Sequence, residues 1–495
     1  MSEAVKVNPE QRMLIDGALV DADSGQTFDN VNPATEEVIG QVADASNAEM
    51  QRAIDAARRA FDETDWSTNR ALRKRCLEQL HDALAAEQEE LREQLILEVG
   101  CPRMTTNGPQ LDAPLSEALA YPAKMIEEYE WETVLPDAMG ITGSLDARRI
   151  WREPVGVVGA IVPWNFPVEV TLHKVGQALA TGNTVIVKPA PDTPWNATFL
   201  GRLIAEKTDI PAGVINVVTS SDHLVGEELT VSPKVDMISF TGSTAVGRRI
   251  MEKGAATMKR VFLELGGKSA TIVLDDADLG TATLMGMGAC FHAGQGCAIQ
   301  TRMLLPRSRY DEGVELLTGL FAAVPYGDPQ RPDVIMGPLI SAKQRERVLG
   351  YIEKGKAEGA TLAVGGGRPR GDEFAQGYWV EPTLFVDADN SMTIAQEEIF
   401  GPVLVVIPYE DEDDAVRIAN DSIYGLSGGV FSATVERSLS VARRIRTGGL
   451  SINGGAPYGA DLPFGGFKHS GIGRQNGKPG FDQYLEVKSV SWPVG

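Results

Sequence analysis

The chain reads as an α/β protein built on a doubly wound, mostly parallel sheet. Three observations predict this. Apolar runs of strand length alternate with helical patterns from about residue 155 to 264. The first run, VGVVGAIVP at 155–163, is continuously apolar, as a strand covered on both faces must be. Finally, Asn165, Lys188, Gly242 and Glu264 all fall at or just past strand ends, where open α/β sheets hold their ligands.

The elements follow in order. Residues 13–42 alternate apolar and polar, with turns at Asp16-Gly17 and Ser24-Gly25, so β-hairpins are expected. From Asn47 to about residue 130 the pattern is helical. Met50, Ile54, Ala57 and Phe61 share a face, and Asn47 suits the N-cap. Residues 137–153 are strand-like around Gly143-Ser144. The α/β run then has strands at 155–163, 183–187, 214–218, 235–240 and 260–264, with helices near 168–180, 194–206 and 245–253. Past Gly266, strands are expected at 303–305, 362–364, 404–407 and 449–452, and helices near 282–291, 310–321, 342–358, 412–420 and 435–444. Residues 484–492 alternate as a closing strand. Neither that strand nor 137–153 has an evident partner in its own domain.

At 495 residues the chain exceeds what one core can organise, so two or three domains are expected. A formal net charge of −22 argues against nucleic acid or an anionic membrane as partner. MSEAVKVNPE at the start carries no basic-then-apolar signal pattern, and no run of about eighteen apolar residues could span a bilayer. A cytoplasmic protein is expected. Cys76, Cys101, Cys290 and Cys297 form no CxxC pair and read as free thiols. The five histidines show no metal-ligand spacing, so no metal is expected.

The stretch FHAGQGCAIQTR at 291–302 places Cys297 behind Gly294 and Gly296. Glycines there break a helix and let backbone approach whatever lies beside the thiol. Taken alone, the stretch suits a nucleophile and a small buried hydrophobe equally, and Cys290 reads as the latter. Gly267-Lys268-Ser269 imitates the end of a phosphate-binding loop, but Phe262 stands where that loop needs glycine. GSTAVG at 242–247, between a strand and a helix, could hold a pyrophosphate on its backbone N–H groups, although a glycine turn before a helix is commonplace.

Four stretches in order, PWNFP at 163–167, FLELGGKS at 262–269, the Cys297 stretch and EEIFGP at 397–402, change the reading. Together they resemble the aldehyde dehydrogenase superfamily, from about residue 13 to the C-terminus. The resemblance implies that Cys297 is the nucleophile, Asn165 and the Cys297 N–H the oxyanion donors, and Glu264 the base that activates water. It implies cofactor contacts from Trp164, Lys188, Gly242, Ser243, Glu398 and Phe400, with Glu397 structural. By position relative to the motifs, Phe166, His173, Phe291, Gly296, Ala298, Tyr458 and Phe464 line the substrate pocket, and aromatic walls suit an apolar or aromatic aldehyde. The cofactor expected is NAD, with NADP tolerated better than in relatives that carry a glutamate in place of Pro191.

The chain departs from the family pattern at four places. Gly296 is smaller than many relatives carry, and His173 replaces a large aromatic. Gln475 stands where many members have a proton-relaying carboxylate, and Pro191 replaces a glutamate used on the adenosine ribose. The resemblance further implies a cofactor domain (1–132 and 154–265), a catalytic domain (266–475), and segments 133–153 and 476–495 that join subunits of a homodimer or homotetramer. A CoA-acylating semialdehyde dehydrogenase is the second reading, opposed by Glu264, and a catalytically silent protein on the same scaffold is the third.

Overall fold

Two sheets with mainly parallel strands, an antiparallel three-stranded sheet and a two-stranded hairpin organise the computed structural model, which describes residues 7–494. The reading of the N-terminal stretch and the outer bounds at 1 and 495 therefore fall partly outside the described residues.

The first sheet runs Gly471–Ile472, Arg260–Glu264, Met237–Thr241, Val157–Ile161, Thr184–Lys188, Ile215–Val217, Met13–Ile15, Ala18–Val20. Its five central strands are parallel, and antiparallel pieces close both edges. Side chains alternate across it. Val158, Val185 and Val187 join one apolar core with helices Arg70–Ala86, Pro167–Thr181 and Trp195–Lys207. Val157, Ile186 and Ile238 join another, beneath helix Asn47–Glu63. Both faces are dry, which explains the unbroken apolar run at 155–163.

Strand order reverses between Val157–Ile161 and Met237–Thr241. Such a reversal sends the two following connections to opposite faces and leaves a crevice beyond the carboxyl ends. Ile161 pairs with Phe240, so both strands end level and feed Pro163-Trp164-Asn165 and Gly242-Ser243 into that crevice.

The second sheet runs Thr361–Val364, Thr383–Val386, Val403–Tyr409, Gln300–Pro306, Ser269–Val273, Gly428–Phe431, Ser451–Ile452. Only its first pair is antiparallel. The third sheet is antiparallel, with Leu145–Pro154 between Glu132–Met139 and Leu485–Pro493.

Several expectations need correction. Ser46, not Asn47, caps the first long helix: its hydroxyl accepts from Ala48 N–H, and Glu49 reaches back to Ser46 N–H at 3.0 Å. A hydroxyl with a glutamate three residues on closes this box, and Asn47 becomes the first helical residue. Strands Ser269–Val273, Thr383–Val386 and Gly428–Phe431 were not expected. They are short, and Gly428-Gly429 imitates a loop because tertiary crowding, not propensity, selects glycine there: a Cβ on Gly429 would stand 2.8 Å from the Gln300 side chain. The helix expected at 282–291 spans Leu279–Gly286 and tightens to a 3-10 segment. The two segments thought to lack partners pair with each other. Gly471–Ile472, grouped above with the second half, adds an edge strand to the first sheet.

Candidate active site

A cavity of about 760 Å³ lies at the switch point of the first sheet. The first sheet's strand ends contribute Pro163 to Phe166, Thr241 to Ser243 and Glu264 to Gly266, and the second half contributes Phe291, Gly296 to Ile299, Glu398, Phe400, Tyr458 and Phe464.

Cys297 reaches it through an unusual turn. Phe291 leaves helical geometry at ψ 129, and His292, Ala293 and Gly294 follow with φ of 48, 54 and 71. A left-handed conformation costs a residue with a Cβ roughly 1–2 kcal/mol, so surrounding contacts must hold this turn. Gln295 does much of that: its side chain donates to the carbonyls of His292 and Pro338 and accepts from Ile340 N–H at 2.9 Å. The Gln295 carbonyl accepts from Asn165 Nδ2 at 2.8 Å, which fixes the amide and leaves its second N–H free.

Glu264 ends its strand, and its carboxylate accepts from Thr241 Oγ1 at 3.1 Å. Its other oxygen lies 3.7 Å from the Cys297 thiol. Gly266 and Gly267 make this junction close. A Cβ on Gly266 would overlap the Glu398 carboxylate, and one on Gly267 would stand 2.7 Å from the Cys297 carbonyl. Gly267 N–H donates to Glu398 at 3.0 Å. Phe400, held at φ 60 with its carbonyl accepting from Gln344 at 2.7 Å, meets Trp164 edge-on at 5.4 Å.

The site is rich in carboxyl groups. Burial, and then Glu264, Glu169 and Glu398, push the Cys297 thiol well above its ordinary range. Burial likewise raises Glu264, and Lys174 opposes that. Burial carries Glu398 up to about 7. Thiol and carboxyl thus rise together, which favours passing one proton between them over releasing it.

Of the expected site residues, Lys188 and His173 do not line the cavity. Lys188 is buried, its ammonium donating to the carbonyls of Pro189 and Ser220 at 3.1 Å each. His173 lies one layer behind, edge-on to Tyr458 at 6.1 Å, and burial depresses it to about 4. Space beside Gly296 is taken by Ile299, 2.8 Å from where a Cβ would sit, so that glycine accommodates a neighbour and does not by itself widen the pocket. Pro191 is exposed, whereas Asp192 lines the cavity. Glu169, Lys343 and Arg347 line it too. Glu169 was legible as the lone carboxylate in the apolar start of its helix, PVEVTL; the other two lie on a helix with ordinary surface composition.

A profile of the Aldehyde dehydrogenase family matches residues 19–490. The chain belongs to the aldehyde dehydrogenase family. Among relatives, it is 42% identical over 480 residues to 3-succinoylsemialdehyde-pyridine dehydrogenase of a Pseudomonas species, covering 96% of this chain and 97% of that one. A crystal structure of Mycobacterium tuberculosis aldehyde dehydrogenase complexed with NAD+ superposes with TM-score 0.94 at 42% identity, covering 99% of each chain. Betaine aldehyde dehydrogenase from Staphylococcus aureus in complex with NAD+ reaches 0.95 at 35% identity, covering 99% of this chain and 96% of that one. Family and fold class are those expected from the sequence, and this aldehyde dehydrogenase is an oxidoreductase.

Native protein treated with iodoacetamide should be alkylated at Cys297 before Cys76, Cys101 or Cys290, all three fully buried. Because the Cys297 thiol is raised, its alkylation rate should keep climbing with pH beyond the range of an exposed thiol. Peptide mapping by mass spectrometry reads both, and earlier modification of Cys290 would contradict the assignment.

Proposed function

We propose that this enzyme oxidises an aldehyde to its carboxylic acid with NAD through a thioester on Cys297, which Glu264 then hydrolyses. The observation that supports it most is the Cys297 thiol 3.7 Å from the Glu264 carboxylate, in one cavity with Asn165.

In this reading Glu264 takes the thiol proton as Sγ bonds to the aldehyde carbon. The oxyanion receives the free Asn165 N–H and the Cys297 backbone N–H, one such donor contributing about 3 kcal/mol. NAD, when bound, accepts the hydride. Glu264 loses the thiol proton to solvent and then takes one from water, whose oxygen bonds to the thioester carbon; the C–S bond breaks, the acid leaves, and the departing thiolate recovers its proton from Glu264. The sum is aldehyde, water and NAD+ giving acid, NADH and one proton. Glu264 also separates this reading from CoA acylation, which needs no water-activating base.

The residues fit NAD. Gly242 and Ser243 stand at the cavity edge of helix Thr244–Gly254, whose N-terminus offers backbone N–H groups to a pyrophosphate. Glu398 could accept from a ribose hydroxyl, with Phe400 and Trp164 beside the ring. Lys188 would have to leave its carbonyl partners to reach a ribose.

Glu264→Gln keeps the shape and removes the base for water. With the thiol proton left to solvent, a slowed burst of NADH followed by little turnover, with the acyl adduct on Cys297 by mass spectrometry, is expected; Cys297→Ala should give neither. Normal steady-state turnover in Glu264→Gln would refute the role.

For cofactor choice, Asp192 takes the part that Pro191 cannot. Its carboxyl lines the cavity near Lys188 and Lys343 and is raised by burial. An ionised Asp192 would repel a 2′-phosphate, and NADP should therefore serve less well than NAD. Asp192→Asn should raise kcat/KM for NADP relative to NAD roughly tenfold, the size of one partly solvated charge repulsion. An unchanged ratio would remove Asp192 as the discriminator.

We also propose a homo-oligomer, a dimer or a tetramer built from two dimers, in the cytoplasm. The three-stranded sheet leaves Glu132–Met139 and Leu485–Pro493 each with an unpaired edge, and exposes Val134, Met139, Ile141, Val487 and Trp492. Light scattering at micromolar concentration should give a multiple of 53.2 kDa, and a monomer would sink the proposal.

A further inference from the structure

Helix Pro167–Thr181 begins at the cavity wall, with Phe166, Glu169 and Val170 all lining it. Glu169 differs from the cavity's other glutamates. Glu264 accepts from Thr241 and Glu398 from Gly267 N–H, whereas no hydrogen bond reaches the Glu169 carboxyl from the described residues. Four aromatic rings, Phe166, Phe291, Tyr458 and Phe464, line the same cavity.

The charge count around it is unequal. Glu169 and Glu264 share one poorly solvated region with a single cation, Lys174. That ammonium is committed elsewhere, 3.2 Å from Ser239 Oγ, 3.5 Å from Gln475 Oε1 and 4.5 Å from the centre of the Phe262 ring. His173 and His292 are depressed to about 4 by burial and add no charge. Lys343 and Arg347 act on the other carboxyls: the Arg347 charge favours the ionised Glu398 carboxyl, while its guanidinium donates to the Glu398 backbone carbonyl at 2.6 Å, and the Lys343 charge favours ionised Asp192. One carboxyl therefore lacks a counterion. Burial and Glu264 raise the Glu169 carboxyl well above its ordinary range, a state that an incoming cation would reverse.

Resting on the thioester reading above, we propose that Glu169 selects aldehydes that carry a protonated amine on their carbon chain. The carboxylate pairs with the ammonium, and the aromatic rings of the same cavity add cation–π attraction where their faces meet it. A hydrocarbon chain gains no ion pair, and an aldehyde ending in a carboxylate is repelled.

The test measures kcat/KM for ω-aminoaldehydes of three to six carbons. Each is set beside the alkanal in which methyl replaces ammonium, and beside an ω-oxo acid of similar length. Wild type, Glu169→Gln and Glu169→Leu are compared. At the best chain length, wild type should favour the aminoaldehyde over its alkanal roughly ten- to a hundredfold, the range of a hydrogen bond between charged groups, and both variants should lose that preference. The oxo acid should be the poorest substrate of wild type. A wild-type ratio near one, a preference that survives both substitutions, a preference for the oxo acid, or equal losses on amine and alkanal would each overturn the proposal. Alkanal oxidation that Cys297→Ala abolishes keeps the thioester reading standing in all those cases. Only a wild type that oxidises no aldehyde would remove both.

Discussion

Everything in the site depends on how closely two backbones approach at Gly266-Gly267. These residues follow the last parallel strand of the first sheet and precede Ser269–Val273, inside the second sheet. With no Cβ, the Cys297 carbonyl and the Glu398 carboxylate can lie against them. Ser470 locks the crossing: its hydroxyl donates to the Gly266 carbonyl at 2.7 Å and accepts from Gly425 N–H at 2.9 Å. The Cys297 thiol and the Glu264 and Glu398 carboxyls are thus set by backbone contact, which is stiffer than any side-chain bridge.

That proximity sets the electrostatics. A buried thiol gathered with three carboxyls resists ionisation, so the resting Cys297 thiol stays protonated until a base takes its proton. The Glu264 carboxyl is 3.7 Å away and is itself raised by the same burial. Lys174 moderates the effect from behind. Burial lowers its ammonium to about 8, while Glu264 and Glu169 act to hold the proton on. Gln475 touches Lys174 only at 3.5 Å through a neutral oxygen, a weak contact that cannot replace an ionised relay group.

Much of the fold was legible because period and burial agree. The continuous run at 155–163 is apolar because cores cover both faces of its sheet, and Arg260–Glu264 ends where the motif begins. Legibility failed where conformation is imposed from a distance. Nothing local in His292-Ala293 announces left-handed backbone; Gln295, Ile340 and Pro338 hold it there. The glycine strand Gly428–Phe431 reads as a loop until Gln300 is seen occupying the space of a side chain. Lys188 and His173 sit at motif-appropriate positions, yet a lysine chain can turn to nearby carbonyls and a histidine can lie one layer deep.

By itself the sequence determined the class of fold, the family and most of the groups that line the cavity, because strand periodicity and ordered motifs are local and additive. Only the tertiary structure decided how those groups meet. It put Asp192 and not Pro191 at the cavity, filled the space beside Gly296 with Ile299, and left Glu169 at the cavity wall without a hydrogen-bond partner among the described residues. Each of these outcomes is a matter of which way a side chain points and what already occupies the space. Contacts between residues far apart in the chain settle that, and no local pattern encodes them.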